Sequence, residues 1–377
     1  MSLILDEHRH YLSDTVKIEA FRRAVAEVVR PGAVVCDLAS GTSILGLLAC
    51  EAGAARVYSV EMTGMVEVAR AIAEANGFGG RLIPVLGSST EVELPERVDA
   101  IICDQVGHFG IEAGLIQFGA DARQRFLKPG GVMLPASVSL HVAPVEAPDQ
   151  AARIEFWIGR PAGFDLLPVR RWAVNTGYPT TFDLSALLGP SSEAGRFDMA
   201  TVTTAPFRLA ARLSIERAGT LHGIGGWFRA QLSPGVALSN GPGADRLSRQ
   251  NVFFPIDRPM AVLPGDSVSV AMHVIPADTL LTWDVRVERG TTALGRFRHS
   301  TLNGMLMSRE DLRRMKPDFA PALTPRGAAR LSVLELCDGN RQLAEIEQTV
   351  FHRHPGLFSS PADAGAFVAE VVSRYAR

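Results

Sequence analysis

The sequence predicts an α/β domain with a parallel sheet, followed by an antiparallel β-barrel or sandwich and a small helical section. The first observation is that short apolar runs alternate with helical patterns up to Pro135. Repeated units of this kind build a doubly wound sheet. The second is that short stretches of alternating polarity then follow, separated by Gly, Pro and Asp turns, as in an antiparallel barrel or sandwich. Helical patterns return near Met307, so we expect domains at 1–135, 136–306 and 307–377.

The elements of the first domain follow from the spacing of apolar residues and from the residues that interrupt it. Residues 1–30 are expected to be helical, because apolar residues in Asp14–Arg30 recur mostly every three or four positions until Pro31-Gly32. The valine-rich run at 33–38 is typical of a buried parallel strand. Further strands are expected at 56–61, 81–87 and 98–104, helices at 44–53, 65–77 and 114–127, and a turn at Lys128–Gly131. Ligands bind beyond the carboxyl ends of the strands in such sheets.

The later domains show shorter patterns. Stretches such as VSLHVAPV, FRLAARLSI, VSVAMHVI and TWDVRV predict the antiparallel strands. A polar insertion that contains Pro and Gly interrupts them at 170–198. In the last section, helices are expected at 326–337, 342–354 and 361–376.

Composition argues against several classes of function. There are 38 Lys and Arg against 40 Asp and Glu, so no basic field favours binding to nucleic acid. The four cysteines form no CxxC pair, which favours reduced thiols in a cytoplasmic protein and predicts no metal site. The first residues lack the apolar run of a signal peptide, and no apolar stretch of about 18 residues predicts a membrane span.

The segment Asp37–Ser43 joins the first strand to the first helix of the sheet. Its single glycine, Gly41, and the small residues Ala39 and Ser43 would let a ligand approach the backbone closely. Glu61 ends the second strand, where a carboxylate can accept both ribose hydroxyls of a nucleoside. The absence of a full GxGxxG favours a methyl donor over a dinucleotide. An ordinary strand–helix turn and a solvated acid are the alternatives.

A second group of polar residues follows the fourth strand. Asp104 and Glu112 lie on one glycine-rich loop, 104–112, which we call the acidic loop. Such a pair could grip a planar cation with two parallel hydrogen bonds, or orient an amine and offset its developing charge. Two solvated loop acids are the alternative. His108 lies between them as a possible general base or as a polar loop residue.

At these residues the sequence resembles the protein arginine methyltransferase family, over most of residues 8–290. His8–Lys17 is similar to the family's H-x-x-M-L-x-D-x-x-R helix, with Lys17 in place of the arginine that holds the carboxylate of the donor. Asp37 to Glu61 is similar to its glycine loop and ribose-binding acid. Later matches are GSSTEVELP at 87–95, LKPGGVMLP at 127–135, HGIGGWF at 222–228 and LSNGPGADRLSRQNVFF at 238–254.

The resemblance implies a Rossmann-like domain that binds S-adenosylmethionine and a β-barrel whose inserted arm, near 170–198, forms a homodimer. The reaction it implies is methyl transfer to a guanidino or amino nitrogen of a peptide or a small molecule. Asp104 and Glu112 are then the expected catalytic residues. The expected cofactor-binding residues are His8, Lys17, Asp37, Ala39, Gly41, Glu61, Ser89 and Thr90.

Departures from the family pattern concern the acceptor. Asp104 replaces a glutamate, and the acidic loop is one residue shorter. Arg246-Leu247-Ser248 replaces the Thr-His-Trp loop, and Ser89 and Thr90 replace the pair that meets adenine. Two other functions therefore stay open: a methyltransferase that acts on a natural-product precursor peptide at a non-arginine site, and a catalytically silent binding protein.

The last section resembles a different family. Asp338-Gly339-Asn340-Arg341, followed by Glu345-Ile346, is similar to the pattern of the small winged-helix peptide carriers of the pyrroloquinoline quinone pathway. The resemblance implies binding of a leader peptide by strand addition. A plain helical cap on the barrel is the alternative.

Overall fold

A computed structural model describes residues 4–245, 247–314 and 316–376. The chain divides into two compact units, 1–305 and 306–377. The first unit contains a parallel sheet flanked by helices and then two antiparallel sheets, and the second unit is helical in its described residues. The predicted fold class is therefore confirmed. Among the residues described, no helix combines the length and apolar character that crossing a membrane requires.

Two helices precede the parallel sheet, α1 (Ile4–Leu12) and α2 (Thr15–Val28). Asp14 begins α2, where its carboxylate accepts a hydrogen bond from the backbone N–H of Lys17 and so satisfies a donor of the first turn. The apolar face of α2 is buried, and Lys17 is buried with it. This helix therefore carries one cation into the interior of the unit.

The parallel sheet has the strand order β3-β2-β1-β4-β5. All five residues of β1 are buried, as the apolar run predicted. The strands are β1 (Val34–Leu38), β2 (Arg56–Glu61), β3 (Leu82–Leu86), β4 (Val98–Cys103) and β5 (Leu127–Leu134). The helices between them are α3 (Ile44–Glu51), α4 (Met65–Ala75) and α5 (Leu115–Phe126). The sheet order changes direction at β1 and β4, whose carboxyl ends therefore border a crevice suited to a ligand.

The expected turn at Lys128–Gly131 lies within β5. Val98 pairs with Leu127, but Ala100 pairs with Val132, so β5 contains extra residues that leave the regular ladder between these two pairs. A Pro and two Gly residues suit such an irregularity at a sheet edge. The Pro and Gly residues therefore mark an interruption of the pairing between β4 and β5 and not the end of a strand.

Two antiparallel sheets complete the first unit. One has the order β7-β12-β10-β6-β8 with β11 paired to β10, and the other has the order β15-β14-β13-β9. Their strands are β6 (Ser137–Val145), β7 (Tyr178–Thr180), β8 (Ser192–Asp198), β9 (Phe207–Ser214), β10 (Gly219–Ser233), β11 (Val236–Ser239), β12 (Asn251–Val262), β13 (Ser267–Ile275), β14 (Leu280–Arg289) and β15 (Thr292–Ser300). The short helix α8 (Thr301–Gly304) follows β15.

The inserted segment differs in extent from the expected 170–198. Residues 192–198 form β8, which pairs with β6, so they belong to the sheet. The helices α6 (Pro148–Glu155) and α7 (Arg170–Ala173) precede them. We call residues 148–191 the arm. Its beginning escaped the sequence analysis because the helical pattern of α6 is only eight residues long.

The second unit contains α9 (Arg309–Arg314), α10 (Pro325–Leu336), α11 (Leu343–Arg353) and α12 (Pro361–Tyr375). Its core is formed by apolar residues of the last three helices, among them Val333, Ile346 and Val368. The pattern that resembles the peptide carriers begins in the turn after α10 and continues into the first turn of α11. Asp338 pairs with Arg341 at 2.8 Å in the turn, and Glu345 completes the capping box at the beginning of α11.

Candidate active site

The loop after β1 keeps glycine-like backbone geometry although only one glycine remains. Ala39, Gly41 and Ser43 have φ values of 52°, 53° and 59°. A left-handed conformation costs a residue other than glycine about 1–2 kcal/mol, and such strain is characteristic of ligand sites. The hydroxyl of Ser43 is hydrogen-bonded to that of Ser59 on β2, which helps to hold this conformation.

Glu61 is fixed against this loop at the carboxyl end of β2. One oxygen accepts a hydrogen bond from the N–H of Gly41 at 3.0 Å. The other accepts from the N–H and the hydroxyl of Thr63 at 2.8 and 2.7 Å. The side chain is oriented, but a carboxylate has about four acceptor positions, so it can accept further hydrogen bonds from a ligand.

Helix α1 covers the same loop. A Cβ atom at Gly41 would overlap the imidazole ring of His8, so the close approach of these two residues requires glycine. The structure thus brings together His8, Gly41 and Glu61, which were predicted from separate segments. Helix α1, the loop after β1 and the end of β2 therefore lie next to one another at the carboxyl ends of the strands.

Two buried charges lie at the carboxyl end of β1 and on α2. Asp37 accepts a hydrogen bond from the N–H of Gly46 at 2.8 Å, and burial raises the pKa of its carboxyl to about 7. Burial lowers the pKa of the Lys17 ammonium to about 8. The Lys17 Nζ lies 3.1 Å from the centroid of the Tyr11 ring and 3.8 Å from Oδ2 of Asp104. Since 3.8 Å exceeds hydrogen-bond length, this ammonium has N–H groups that can bind an anion.

Ser89 and Thr90 follow β3 at the same edge of the sheet. Thr90 Oγ1 lies 2.8 Å from the hydroxyl of Ser88, and the carbonyl of Ser89 accepts a hydrogen bond from Arg125. The loop is therefore anchored to α5. Met62, which the sequence analysis did not select, is 70% exposed directly after Glu61. The sequence alone offered only a methionine directly after a strand-end acid, because its exposure depends on the fold.

The two carboxylates of the acidic loop have different partners. Asp104 Oδ2 accepts a hydrogen bond from the hydroxyl of Tyr11 at 2.7 Å, and Oδ1 accepts from Nη1 of Arg249 at 2.6 Å. The carboxylate of Glu112 accepts hydrogen bonds from the N–H groups of His108, Phe109 and Ile111 in its own loop. Asp104 is thus held from outside the acidic loop, whereas Glu112 stabilises the loop itself.

The segment after β11 contacts both the acidic loop and the beginning of α2. Arg249 also donates from Nη2 to the backbone oxygen of Asp104 at 2.6 Å. Ser248 donates from its N–H and hydroxyl to Asp14 at 2.8 and 2.7 Å. Leu247 is buried, and Arg246 lies outside the described residues. Arg249 was not among the predicted site residues, because its partner is 145 residues away in the chain.

His108 joins the acidic loop to this same segment. Its Nδ1 lies 3.2 Å from the backbone oxygen of Gln250, and its backbone oxygen accepts from Asn240 Nδ2 at 2.7 Å. Asn240 Nδ2 also donates to the backbone oxygen of Gln250 at 2.7 Å. This arrangement gives His108 a structural role as a link between two loops.

The chain is similar to known proteins in sequence and in fold. The family model described as the arginine methyltransferase oligomerization subdomain matches residues 136–288. Over 282 residues the chain is 26% identical to protein arginine N-methyltransferase 1 of Oryza sativa subsp. indica, covering 71% of this chain and 72% of that protein. Over 273 residues it is 28% identical to arginine N(omega)-methyltransferase of Streptomyces achromogenes subsp. streptozoticus, covering 70% and 75%.

The chain thus resembles the protein arginine N-methyltransferases in sequence over about 70% of its length. Its fold is similar to that of the Trypanosoma brucei PRMT1 enzyme-prozyme heterotetrameric complex with AdoHcy, with a TM-score of 0.71 and 21% sequence identity. That match covers 78% of this methyltransferase-like chain and 96% of the solved chain. The parallel sheet and the antiparallel sheets of the first unit are therefore the fold shared with these proteins.

Proposed function

We propose that this chain transfers a methyl group from S-adenosylmethionine to a guanidino nitrogen of arginine. The observation that carries the proposal is that Lys17 faces Asp104 at 3.8 Å while Glu61 holds Gly41 at 3.0 Å. A donor bound between Lys17 and Glu61 would therefore lie beside the acidic loop. The relatives named for arginine methylation support the choice of acceptor.

The residues at the strand ends fit the donor. The carboxylate of Glu61 is oriented to accept the ribose hydroxyls, and the backbone at Ala39 and Gly41 permits close approach of the methionine part. The free N–H groups of Lys17 would bind the donor's carboxylate, and His8 would cover the loop. The sulfonium supplies an electrophilic methyl group. The chain orients the donor and limits its contact with water.

Asp37 would stabilise the loop of the donor site without contacting the donor. Its carboxylate receives the N–H of Gly46 in the first turn of α3 and so fixes the direction of the loop that it begins. Ser89 and Thr90 lie where the base of the donor would reach, at the end of β3. The neighbouring Met62 offers an apolar surface to that base.

Asp104 and Glu112 form the acceptor side of the proposal. A carboxylate near the reacting nitrogen stabilises positive charge as methylation proceeds. Glu112 is held by three backbone N–H groups of its loop, so it can present this charge without moving. The acceptor arginine is either the free amino acid or a residue of a peptide, and both are tested below.

We also propose that the chain forms a homodimer through the arm. It exposes Phe156, Ile158, Phe164 and Leu167, and the matched oligomerization subdomain includes it. Exposed apolar groups of this size are typical of protein interfaces. A second copy of this chain is the partner that we propose for them.

The test of the reaction is a product assay with two acceptors. The purified chain is incubated with S-adenosylmethionine and either L-arginine or arginine-containing peptides, and mass spectrometry measures S-adenosylhomocysteine and methylarginine together. With one acceptor class we expect one S-adenosylhomocysteine for each methyl group that is added to arginine. Donor binding without either product, across both acceptor classes, would contradict the proposal and favour a silent binding protein.

A further inference from the structure

The side chain of Arg249 occupies a position that an acceptor guanidinium would be expected to use. Its two terminal nitrogens contact Oδ1 and the backbone oxygen of Asp104, each at 2.6 Å. The side chains are only 16% and 6% exposed, so this pair is shielded from water. The planar fork of arginine suits such a two-point contact, as it would in a substrate.

The chain's own donors engage both oxygens of Asp104. The hydroxyl of Tyr11 donates to Oδ2 at 2.7 Å, and the Lys17 ammonium lies 3.8 Å from the same oxygen. Arg249 therefore offsets the charge of Asp104, and the Lys17 ammonium adds a second positive charge beside it. An acceptor cation can gain the charge of Asp104 only by replacing Arg249.

The backbone that carries Arg249 is anchored on both sides. Ser248 is bonded to Asp14 at the beginning of α2, and Asn240 joins Gln250 to the acidic loop. The long arginine side chain has several rotatable bonds beyond this anchored backbone. It can leave Asp104 by a change of rotamer, without rearrangement of the loop.

We propose that Arg249 is an internal guanidinium that competes with the acceptor for Asp104 and thereby sets which cations the site admits. The proposal rests on the function proposed above and adds a specificity-determining residue to it. While Arg249 is in place, Glu112 is the carboxylate of the acidic loop that no side-chain cation in the described structure pairs with. Small guanidinium compounds are then bound weakly. An acceptor with further contacts to the protein can displace Arg249.

Calorimetry with methylguanidinium chloride tests this inference without requiring turnover. The full chain is saturated with S-adenosylhomocysteine, and the wild type is compared with Arg249→Met. We expect the variant to bind methylguanidinium at least about tenfold more tightly, since one charge-assisted contact becomes available. In Arg249→Met/Asp104→Asn this gain should disappear. Equal affinity of wild type and Arg249→Met, or a gain that persists without the Asp104 charge, overturns the inference.

Two further variants keep the test interpretable. Arg212→Met removes an exposed arginine of β9 and should leave the affinity unchanged, so a gain there would also overturn the inference. If Arg249→Met unfolds too easily, Arg249→Ala is heated with and without millimolar methylguanidinium. Rescue of its Tm by methylguanidinium but not by methylammonium supports the proposal, and no rescue contradicts it. Failure of every arginine acceptor in the product assay would instead count against the proposed reaction.

Discussion

Glu61 is the residue on which the proposed donor site depends most directly. Its carboxylate joins β2 to the loop after β1 through Gly41 and to the next turn through Thr63. A single residue thus orders the loop and, in the proposed complex, would present its charge to the ribose. Substitution should affect donor binding more than folding, because Thr63 and the buried strand β2 remain.

We expect Glu61→Gln to weaken binding of S-adenosylhomocysteine by about 1.5–3 kcal/mol, since a charge-assisted contact becomes a neutral one. Calorimetry at fixed salt measures this loss. Glu67→Gln is the matched control, because Glu67 is an exposed acid on α4 that pairs with Arg70. Unchanged affinity in Glu61→Gln would remove the ribose assignment.

If Lys17 binds the donor's carboxylate as proposed, donor binding should depend on pH. Burial lowers the pKa of its ammonium to about 8 in the free protein, and a bound carboxylate would favour the protonated form. Donor affinity should therefore be highest below the pKa of about 8 and fall as the pH rises above it.

The comparison with Lys17→Met isolates this effect. The titration of the donor itself and of Asp37, whose pKa is about 7, occurs in both proteins, so the difference between the two affinity profiles belongs to Lys17. Calorimetric titrations across this pH range give both profiles. Parallel profiles would show that Lys17 does not meet the donor's carboxylate.

At the scale of elements, the acidic loop is stabilised by the residue that we expect to act on the acceptor. Glu112 accepts the N–H groups of His108, Phe109 and Ile111, and a Cβ atom at Gly107 would lie 2.6 Å from its carboxyl carbon. The glycine therefore leaves room for the turn that Glu112 closes. Loop shape and acceptor charge depend on the same side chain.

Glu112→Gln should leave donor affinity nearly intact and lower kcat by about 10²–10³, as the loss of one electrostatic contact in an active site typically does. The amide also meets the loop's N–H groups with only one acceptor atom. Donor calorimetry and the product assay measure the two effects, with the exposed Glu93→Gln as control. Full turnover in Glu112→Gln would make the residue a purely structural cap.

The substitution Asp104→Glu tests whether the site requires the shorter side chain of aspartate. Asp104 is enclosed by Tyr11, Lys17 and Arg249, so an added methylene must displace one of them. We expect glutamate to lower activity on the native acceptor, as overpacking of a filled site does. Equal or higher activity on arginine would instead mean that the site tolerates the family's residue, and steady-state kinetics with both acceptors decide between these results.

The elements could largely be predicted because their signals are local. The apolar run of β1 and the spacing within α2 need no knowledge of distant residues. The pairing of Arg249 with Asp104 could not be predicted, since the backbone conformation of two loops 145 residues apart decides it. The predicted end of the arm was too late for a related reason. Residues 192–198 have a loop-like sequence, and their pairing with the distant strand β6 makes them a strand.

At the scale of the whole molecule, the residues proposed to bind the donor lie in one unit, 1–305, together with the acidic loop and the arm. The site residues predicted from α1, β1, β2 and the acidic loop meet there because the parallel sheet aligns its strand ends. Residues 306–377 have their own apolar core. Their resemblance to peptide carriers stays a prediction, since the family model that matches this chain ends at residue 288.

The arm determines the last prediction, which concerns the oligomer. Phe164 is 70% and Phe156 54% exposed, so burial of what remains exposed would stabilise a dimer by about 1–2 kcal/mol for each side chain. We therefore expect light scattering at micromolar concentration to give twice the 40.5 kDa of one chain. Phe156→Ser/Phe164→Asp should shift the protein to the monomer, because a buried aspartate without a partner opposes association.

Leu263→Asp provides the matched control, since Leu263 is a similarly exposed residue in the turn between β12 and β13, outside the arm. This variant should remain dimeric and keep wild-type thermal stability. If both sets of substitutions dissociate the dimer equally, the interface lies elsewhere or the effect is one of net charge. A wild-type monomer with full activity would show that the exposed apolar residues of the arm serve another contact, and that the site is complete within one chain.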